Sequence, residues 1–450
     1  MRFCRSHGAS HAAVTRRRFF YCQRVVSHCV NIEVTIDRPA AGGEFIASYD
    51  GRIGFVTGGI PGERVVVEIA KPDAKLWRGN VVEVLDASEH RISQRCEAAR
   101  QGAGCCDWGF IDPEHAARLK ADVLTDCLRR LGRFTADELP AIDVLPLAPT
   151  SHWRTRVRLG VDPQGRAGLR RSRSHELVIG SECVQTVPNL IAGFSTARTI
   201  PVAKPARGRG SKKPKPGELH VAMDTEGNRS AVYVSGIGRN RKQTLIEGEP
   251  TTQHTVHGIT FDVPTTGFWQ AHCHAPEFYG SRIIDLLAGQ SFSCGWDLYG
   301  GAGVLSAALR KLVDAEGSIL SVEDFAAAAT AGRKAFTAAD HSGNATPAAP
   351  VRFVTGDVTK VVRREVANEE TPNPDIVVLD PPRSGAGKDA IAAIAEAKPR
   401  TVVHFGCDPA TFARDARYWA DYGYAFKHLE VVDAFGLTHH FETIAVLEQL

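Results

Sequence analysis

Cys407 is placed as a reactive thiol would be. It follows the run Thr401-Val-Val-His-Phe-Gly406, and Asp408-Pro-Ala410 then opens a helical pattern, so the thiol stands at the carboxyl end of a strand, where open α/β sheets bind ligands. Amides of the oncoming helix N-terminus favour the thiolate, the form that attacks. The competing reading is a packed thiol, since free cysteine is among the most buried residue types. Further on, Glu442 stands in His439-His-Phe-Glu-Thr-Ile444 at the start of the last strand pattern. An acid there is a candidate proton acceptor if it meets the thiol, and a solvated strand residue if it does not.

Other chemistry-bearing residues fall at strand ends in the same half of the chain. In Asp380-Pro-Pro-Arg-Ser-Gly385 two prolines follow a buried run and cannot continue a ladder, so they fix the exit turn and leave Asp380 facing the crevice. Asp297-Leu-Tyr-Gly-Gly-Ala-Gly303 precedes a helical pattern from Val304 to Val313. Gly301 and Gly303 let the backbone approach a ligand there, and the turn by itself suits a dinucleotide equally well. Glu323 ends the second strand, where an acid can take ribose hydroxyls, and Gly356-Asp357 ends the third, where adenine sits. Those two acids favour S-adenosylmethionine, although each alone could be a surface residue.

These residues need an open parallel sheet to hold them. From about residue 276 strands are expected at Phe292–Leu298, Ser318–Val322, Val351–Thr355, Ile376–Leu379, Thr401–Phe405, Ala425–Val432 and Thr443–Leu447, with helices between them as far as the sixth. That alternation is the chain order of a Rossmann-like methyltransferase domain, 276–450. Residues 31–93 are short, β-rich runs separated by glycine turns, as expected for a small barrel. Residues 94–275 form a mixed central domain, in which Arg154, Arg156 and Arg158 share one strand face with Val157 and Leu159 behind it. Residues 1–30 are left out of the fold as an extension.

The chain has 450 residues, a net charge of +3 and 11 cysteines. No run of 18 apolar residues occurs, so no membrane helix is expected. Residues 1–32 carry six arginines and no acid, and Lys204 to Lys215 is a second basic run. Each is either a solvated segment or a contact to a nucleic-acid backbone; the first also resembles a transit peptide. Many cysteines with no secretory signal point to a reducing, cytoplasmic setting. Cys96, Cys105 and Cys106, closely spaced, suggest metal or cluster ligation.

Two resemblances add to this. Gly54-Phe-Val-Thr-Gly-Gly-Ile-Pro-Gly-Glu63, closed by His90-Arg91 and Ser93, is similar to a TRAM domain, an OB-like RNA-binding barrel. Phe268-Trp-Gln270, Asp297–Gly303, Asp380–Gly385, Gly406-Cys-Asp-Pro-Ala-Thr-Phe-Ala-Arg-Asp415 and His440-Phe-Glu-Thr443 together resemble the RNA uracil-5-methyltransferases. The resemblance implies Cys407 as nucleophile, Glu442 as proton acceptor, and Gln270, Tyr299, Glu323 and Asp380 as contacts to S-adenosylmethionine. It implies a monomer acting on transfer or ribosomal RNA. It further implies a 4Fe-4S cluster on Cys96, Cys106 and Cys183, with Cys105 replacing a cysteine expected at Ala103. Adjacent residues on an extended backbone point to opposite sides, which sets Cys105 against Cys106. Val304 and Phe405-Gly406 depart from the family's common residues. The rivals are a cytosine-5 RNA methyltransferase, which favours a Pro-Cys phrase absent here, and a catalytically silent RNA-binding protein.

Overall fold

A computed structural model describes residues 29–450 apart from 73, 197, 203–216, 237, 342–346 and 369. Most of the expected extension and the whole Lys/Arg linker lie outside the described residues. Strands β1 (Val30–Pro39), β2 (Phe45–Tyr49), β3 (Arg52–Thr57), β4 (Arg64–Ile69) and β5 (Trp77–Asp86) close into a barrel in the order β1-β2-β3-β5-β4. Alternation builds it: Ile32, Val34 and Ile36 on β1 and Val65, Val67 and Ile69 on β4 are buried between more exposed neighbours. Glu63, also buried, accepts from the amides of Ile60 (2.8 Å) and Ser88 (3.1 Å) and from Arg91 at 2.5 and 2.6 Å. One side chain thus closes a turn and ties it to the segment leaving the barrel.

The short helix α1 (Glu97–Arg100), the long helix α2 (Pro113–Arg130) and strand β6 (Asp143–Pro146) follow. Asp112 caps α2 by accepting from the amides of Glu114 and His115, and Pro113 fits the first turn, where its missing N–H costs nothing. Next come β7 (Arg156–Val161), β8 (Ala167–Arg170), β9 (Leu177–Val178), β10 (Gly217–Met223), β11 (Arg229–Ser235) and β12 (Lys242–Glu247). They form an antiparallel sheet in the order β12-β11-β10-β7-β8-β9. A hairpin, β13 (Thr251–Val256) and β14 (Ile259–Pro264), leads on from it.

The rest of the chain is α3 (Ala275–Leu286), β15 (Phe292–Leu298), α4 (Val304–Leu309), β16 (Val313–Glu323), α5 (Ala326–Asp340), β17 (Val351–Thr355), α6 (Val358–Val366), β18 (Ile376–Leu379), α7 (Lys388–Glu396), β19 (Thr401–Gly406), α8 (Pro409–Asp421), β20 (Tyr424–Asp433) and β21 (Glu442–Gln449). Its sheet runs β17-β16-β15-β18-β19-β21-β20-β6 and is parallel except for β21. The period of two sorts the strands between two cores: Val377 and Leu379 of β18 join a core with α2, α6, α7 and α8, while Ile376 and Val378 join α3 and α4 on the other face. The result is the Rossmann-like methyltransferase architecture, preceded by an OB-like barrel and a mixed region.

Two boundaries differ from expectation. Helix α4 stops at Leu309 and β16 already starts at Val313, because Val313 pairs with Phe292 ahead of a bulge that resets the register at Cys294 and Ser318. Helix α2 and strand β6, early in the chain, belong to the C-terminal sheet: Val123, Leu124 and Leu128 pack in its core and β6 pairs with β20. Lys120, fully buried, meets Asp433 at 2.5 Å.

Candidate active site

Sheet order reverses between β15 and β18, the kind of switch point at which open α/β sheets leave a ligand crevice. Asp297 closes β15 and Asp380 follows β18 on either side of it. Gln270 Nε2 approaches Asp380 Oδ2 at 3.5 Å. On the next strands, Gly406 of β19 pairs with Thr443 of β21. Since β21 runs antiparallel, Cys407 after β19 and Glu442 at the head of β21 emerge at the same sheet end.

Helix α8 fixes the loops around Cys407. Asp408 accepts from the amides of Ala410 and Thr411. Thr411 Oγ1 donates to the Arg383 carbonyl, and Asp415 accepts from the amides of Ala386 (2.6 Å) and Gly387 (3.1 Å). The Asp-Pro-Pro-Arg loop is therefore laced to the helix that carries the thiol.

The electrostatics of the crevice overturn one expectation. The Cys407 thiol is pushed up to about 12, by burial first and then by the charges of Glu442 and Asp380. The amides of Ala410 and Thr411 at the helix start are taken by Asp408, and Arg383 and then the backbone amide of Cys407 itself pull the other way. Burial and Asp380 hold the Glu442 carboxyl well above its ordinary range, and its Oε1 has no hydrogen-bond partner among the described residues. Burial also raises Asp380 to about 7, with Asp297 adding to it, and Asp297 to about 6. Such a cluster of raised carboxyls in a crevice is the electrostatic mark of a functional site.

The glycine turn is held by its own acids. Asp297 Oδ2 accepts from the amide (2.9 Å) and hydroxyl (2.5 Å) of Ser306 in α4, leaving Oδ1 unpartnered. Tyr299 lies at φ +62° and Gly301 at φ +58°. A Cβ on Gly301 would meet nothing within 4 Å, so the backbone there faces open space, whereas one on Gly303 would lie 2.9 Å from the Phe353 ring. Glu323 accepts from the amides of Gly301 (3.0 Å) and Phe325 (2.7 Å), and Asp357 caps α6 through the Lys360 amide. All these positions line successive strand ends, with their carboxylates engaged by backbone.

Sequence reasoning overlooked Tyr279 of α3. It is 2% exposed, its hydroxyl has no partner, and it feels the charges of Glu442, Asp380 and Cys407. An aromatic at core spacing on a helix carries no sign of this in sequence. Arg383 has no role legible in its motif; its Nη2 reaches His440 Nδ1 at 3.1 Å.

Away from this crevice, Cys96, Cys105, Cys106 and Cys183 bring their sulfurs within 4.8 Å of one another. The expected conflict between Cys105 and Cys106 does not arise, because the chain around them is mostly turn and not a continuous extended strand. Arg154, Arg156, Arg158, Arg170 and Arg173 line an adjoining groove of about 580 Å³, with Cys105 at one side and the exposed Phe268 at another. The arginine strand face expected from the sequence is thus a groove wall.

The switch-point crevice, glycine turn and strand-end acids define the S-adenosylmethionine-dependent methyltransferase fold. Sequence comparison narrows this. The chain is 42% identical over 427 residues to an uncharacterized RNA methyltransferase of Corynebacterium glutamicum, covering 92% of this chain and 96% of that one. It is 32% identical over 441 residues to another from Streptomyces avermitilis, covering 92% and 98%. The protein belongs to this family of RNA methyltransferases. Among solved structures, the Pyrococcus abyssi tRNA (uracil-54, C5)-methyltransferase in complex with S-adenosyl-L-homocysteine aligns with a TM-score of 0.64 at 16% identity, over 92% of this chain and 100% of that one. That likeness is one of fold. No family model matches the sequence.

Proposed function

We propose that the protein methylates carbon 5 of a uridine in transfer or ribosomal RNA, with S-adenosylmethionine as methyl donor. The observation that carries this reading is the β19–β21 register, which brings Cys407 and Glu442 to one sheet end beside Asp380. Carbon 5 of uracil is a poor nucleophile; a thiolate adding to carbon 6 makes it an enolate able to attack the sulfonium methyl. Glu442 then removes the carbon 5 proton, and the re-formed double bond expels Cys407. The base must leave its stack to reach the thiol.

The resting protonation states fit a site awaiting a cation. Burial shifts the thiol and the neighbouring carboxyls toward their neutral forms, and a positive sulfonium bound near them would favour their ionised forms. Gln270, Asp297, Tyr299, Gly301, Gly303, Glu323, Asp357 and Asp380 are the proposed cofactor contacts. The barrel is read as a TRAM domain that, with the arginine groove, holds RNA by its backbone and loop shape. The family resemblance assigns a 4Fe-4S cluster to the four cysteines, and their sulfur spacing favours a smaller occupant.

Glu442→Gln tests the chemistry. With addition and methyl transfer intact and no base, a covalent protein–RNA adduct carrying labelled methyl should accumulate as a nuclease-sensitive band on a denaturing gel, and Cys407→Ser should give none. Turnover of the Glu442→Gln variant at the parent rate without adduct would remove Glu442 from the mechanism, and mass mapping that found methyl on cytosine would exclude uridine as the target.

A further inference from the structure

The four sulfurs of the cysteine nest are too close together for the cluster that the family resemblance implies. Cys183 Sγ stands 3.4 Å from Cys105 Sγ, 3.8 Å from Cys106 Sγ and 4.0 Å from Cys96 Sγ. All four lie within 4.8 Å of one another. No pair is bonded, since a disulfide needs about 2.05 Å. Four thiolates around a single ion at about 2.3 Å stand about 3.8 Å apart along the edges of the tetrahedron. In a four-iron cube each thiolate binds a different iron corner and projects away from the others, so the sulfurs must diverge.

The nest is built as a ligand set and not as incidental core. Cysteines that merely pack are surrounded by carbon, whereas these sulfurs face one another with Cys96 and Cys106 fully buried. Dedicated bonds hold their backbones. Gln94 accepts from the Cys96 amide (3.1 Å) and donates to the Cys106 carbonyl (3.0 Å), Gln185 donates to the Cys105 carbonyl, and Thr186 Oγ1 donates to the Cys183 carbonyl at 2.8 Å. Supporting bonds of this kind orient metal ligands. Arg154, whose Nε has no partner, lies in the field of Cys183, Cys105 and Cys106. Four thiolates on a divalent ion leave two negative charges, and this guanidinium is placed to offset them.

We infer that Cys96, Cys105, Cys106 and Cys183 form a mononuclear tetrathiolate site for one soft divalent ion, zinc(II) or iron(II), which cross-links the loop before α2 to the loop after β9 beneath the arginine groove. The inference is independent of which base is methylated.

Full-length protein purified anaerobically without chelator should contain about one zinc or iron per chain and no acid-labile sulfide, and should stay free of brown colour after incubation with iron and sulfide. Cobalt(II) exchange should give the intense visible bands of a tetrahedral thiolate complex. Cys105→Ser, at the least buried ligand, should lose its ion to a chelator that leaves the parent loaded. Equal iron and sulfide at about four each per chain would overturn the inference. So would failure of the intact protein to retain or take up zinc, iron or cobalt, a result that does not depend on whether the variant folds.

Discussion

Glu63 and Glu442 are the same residue type in nearly the same burial, with 0% of the Glu63 side chain and 5% of Glu442 exposed. Their surroundings are opposite. Glu63 has two amides and a guanidinium on its oxygens, while Glu442 has an oxygen with no partner among the described residues and is pressed toward its neutral form by burial and by Asp380. Burying a carboxylate is costly unless its bonds are replaced. The barrel replaces them and gains a brace; the crevice withholds them and keeps a group ready to change its protonation.

Exchanging each glutamate for glutamine separates the two roles. In Glu442→Gln, release of methylated RNA from the adduct in a single turnover should slow 10²–10⁴-fold, about 3–5 kcal/mol of barrier, while denaturant melts show equal or greater stability. In Glu63→Gln, Arg91 would face a neutral amide, and stability should drop by about 2–4 kcal/mol with turnover per folded molecule unchanged. A Glu442→Gln protein that melts early, or a folded Glu63→Gln protein that loses turnover, would dissolve the distinction.

The pH dependence of stability sharpens it. Asp297, Asp380 and Glu442 have folded pKa values raised above their unfolded ones, so the native state holds more protons. Their contribution is complete below about pH 4 and is lost as pH rises through about 6 for Asp297, about 7 for Asp380 and the raised folded pKa of Glu442. Each group tilts stability downward by up to about 1.4 kcal/mol per pH unit within its window. Denaturant melts of the ligand-free protein from pH 5 to pH 9 should show this slope, and Glu442→Gln should flatten part of it; an unchanged slope in the variant would place the titration elsewhere.

The smallest effect concerns the thiol. Asp408→Ala should cost about 1 kcal/mol through the lost cap on α8. It would also free two amides and remove a negative charge beside Cys407, so iodoacetamide should alkylate Cys407 faster at fixed pH. No acceleration would mean that burial alone sets the thiol's reactivity.

Much of this site was legible in the sequence because strand-end chemistry is local. Asp297, Glu323, Asp380 and Cys407 each follow a short apolar run that has little choice but to be a buried strand. What could not be read is what the fold adds across distance. Nothing local to Cys407 says that Asp408 spends the helix amides, and nothing in α3 marks Tyr279 as more than packing. The cysteines were visible, but their convergence depends on turns at 101–110 that local spacing leaves open. Nothing local to α2 names the distant sheet on which it packs.

That last pairing sets a timetable for synthesis. Lys120 and Asp433 are 313 positions apart, so at 5–20 residues per second a ribosome needs roughly 15–60 s after making the helix before its counter-charge exists. For most of that interval α8 and β20, the late elements against which α2 packs, have not been made, and Val123, Leu124 and Leu128 lack that cover. The helix that anchors the finished enzyme is therefore, on the nascent chain, an exposed apolar segment of the kind that holding chaperones bind.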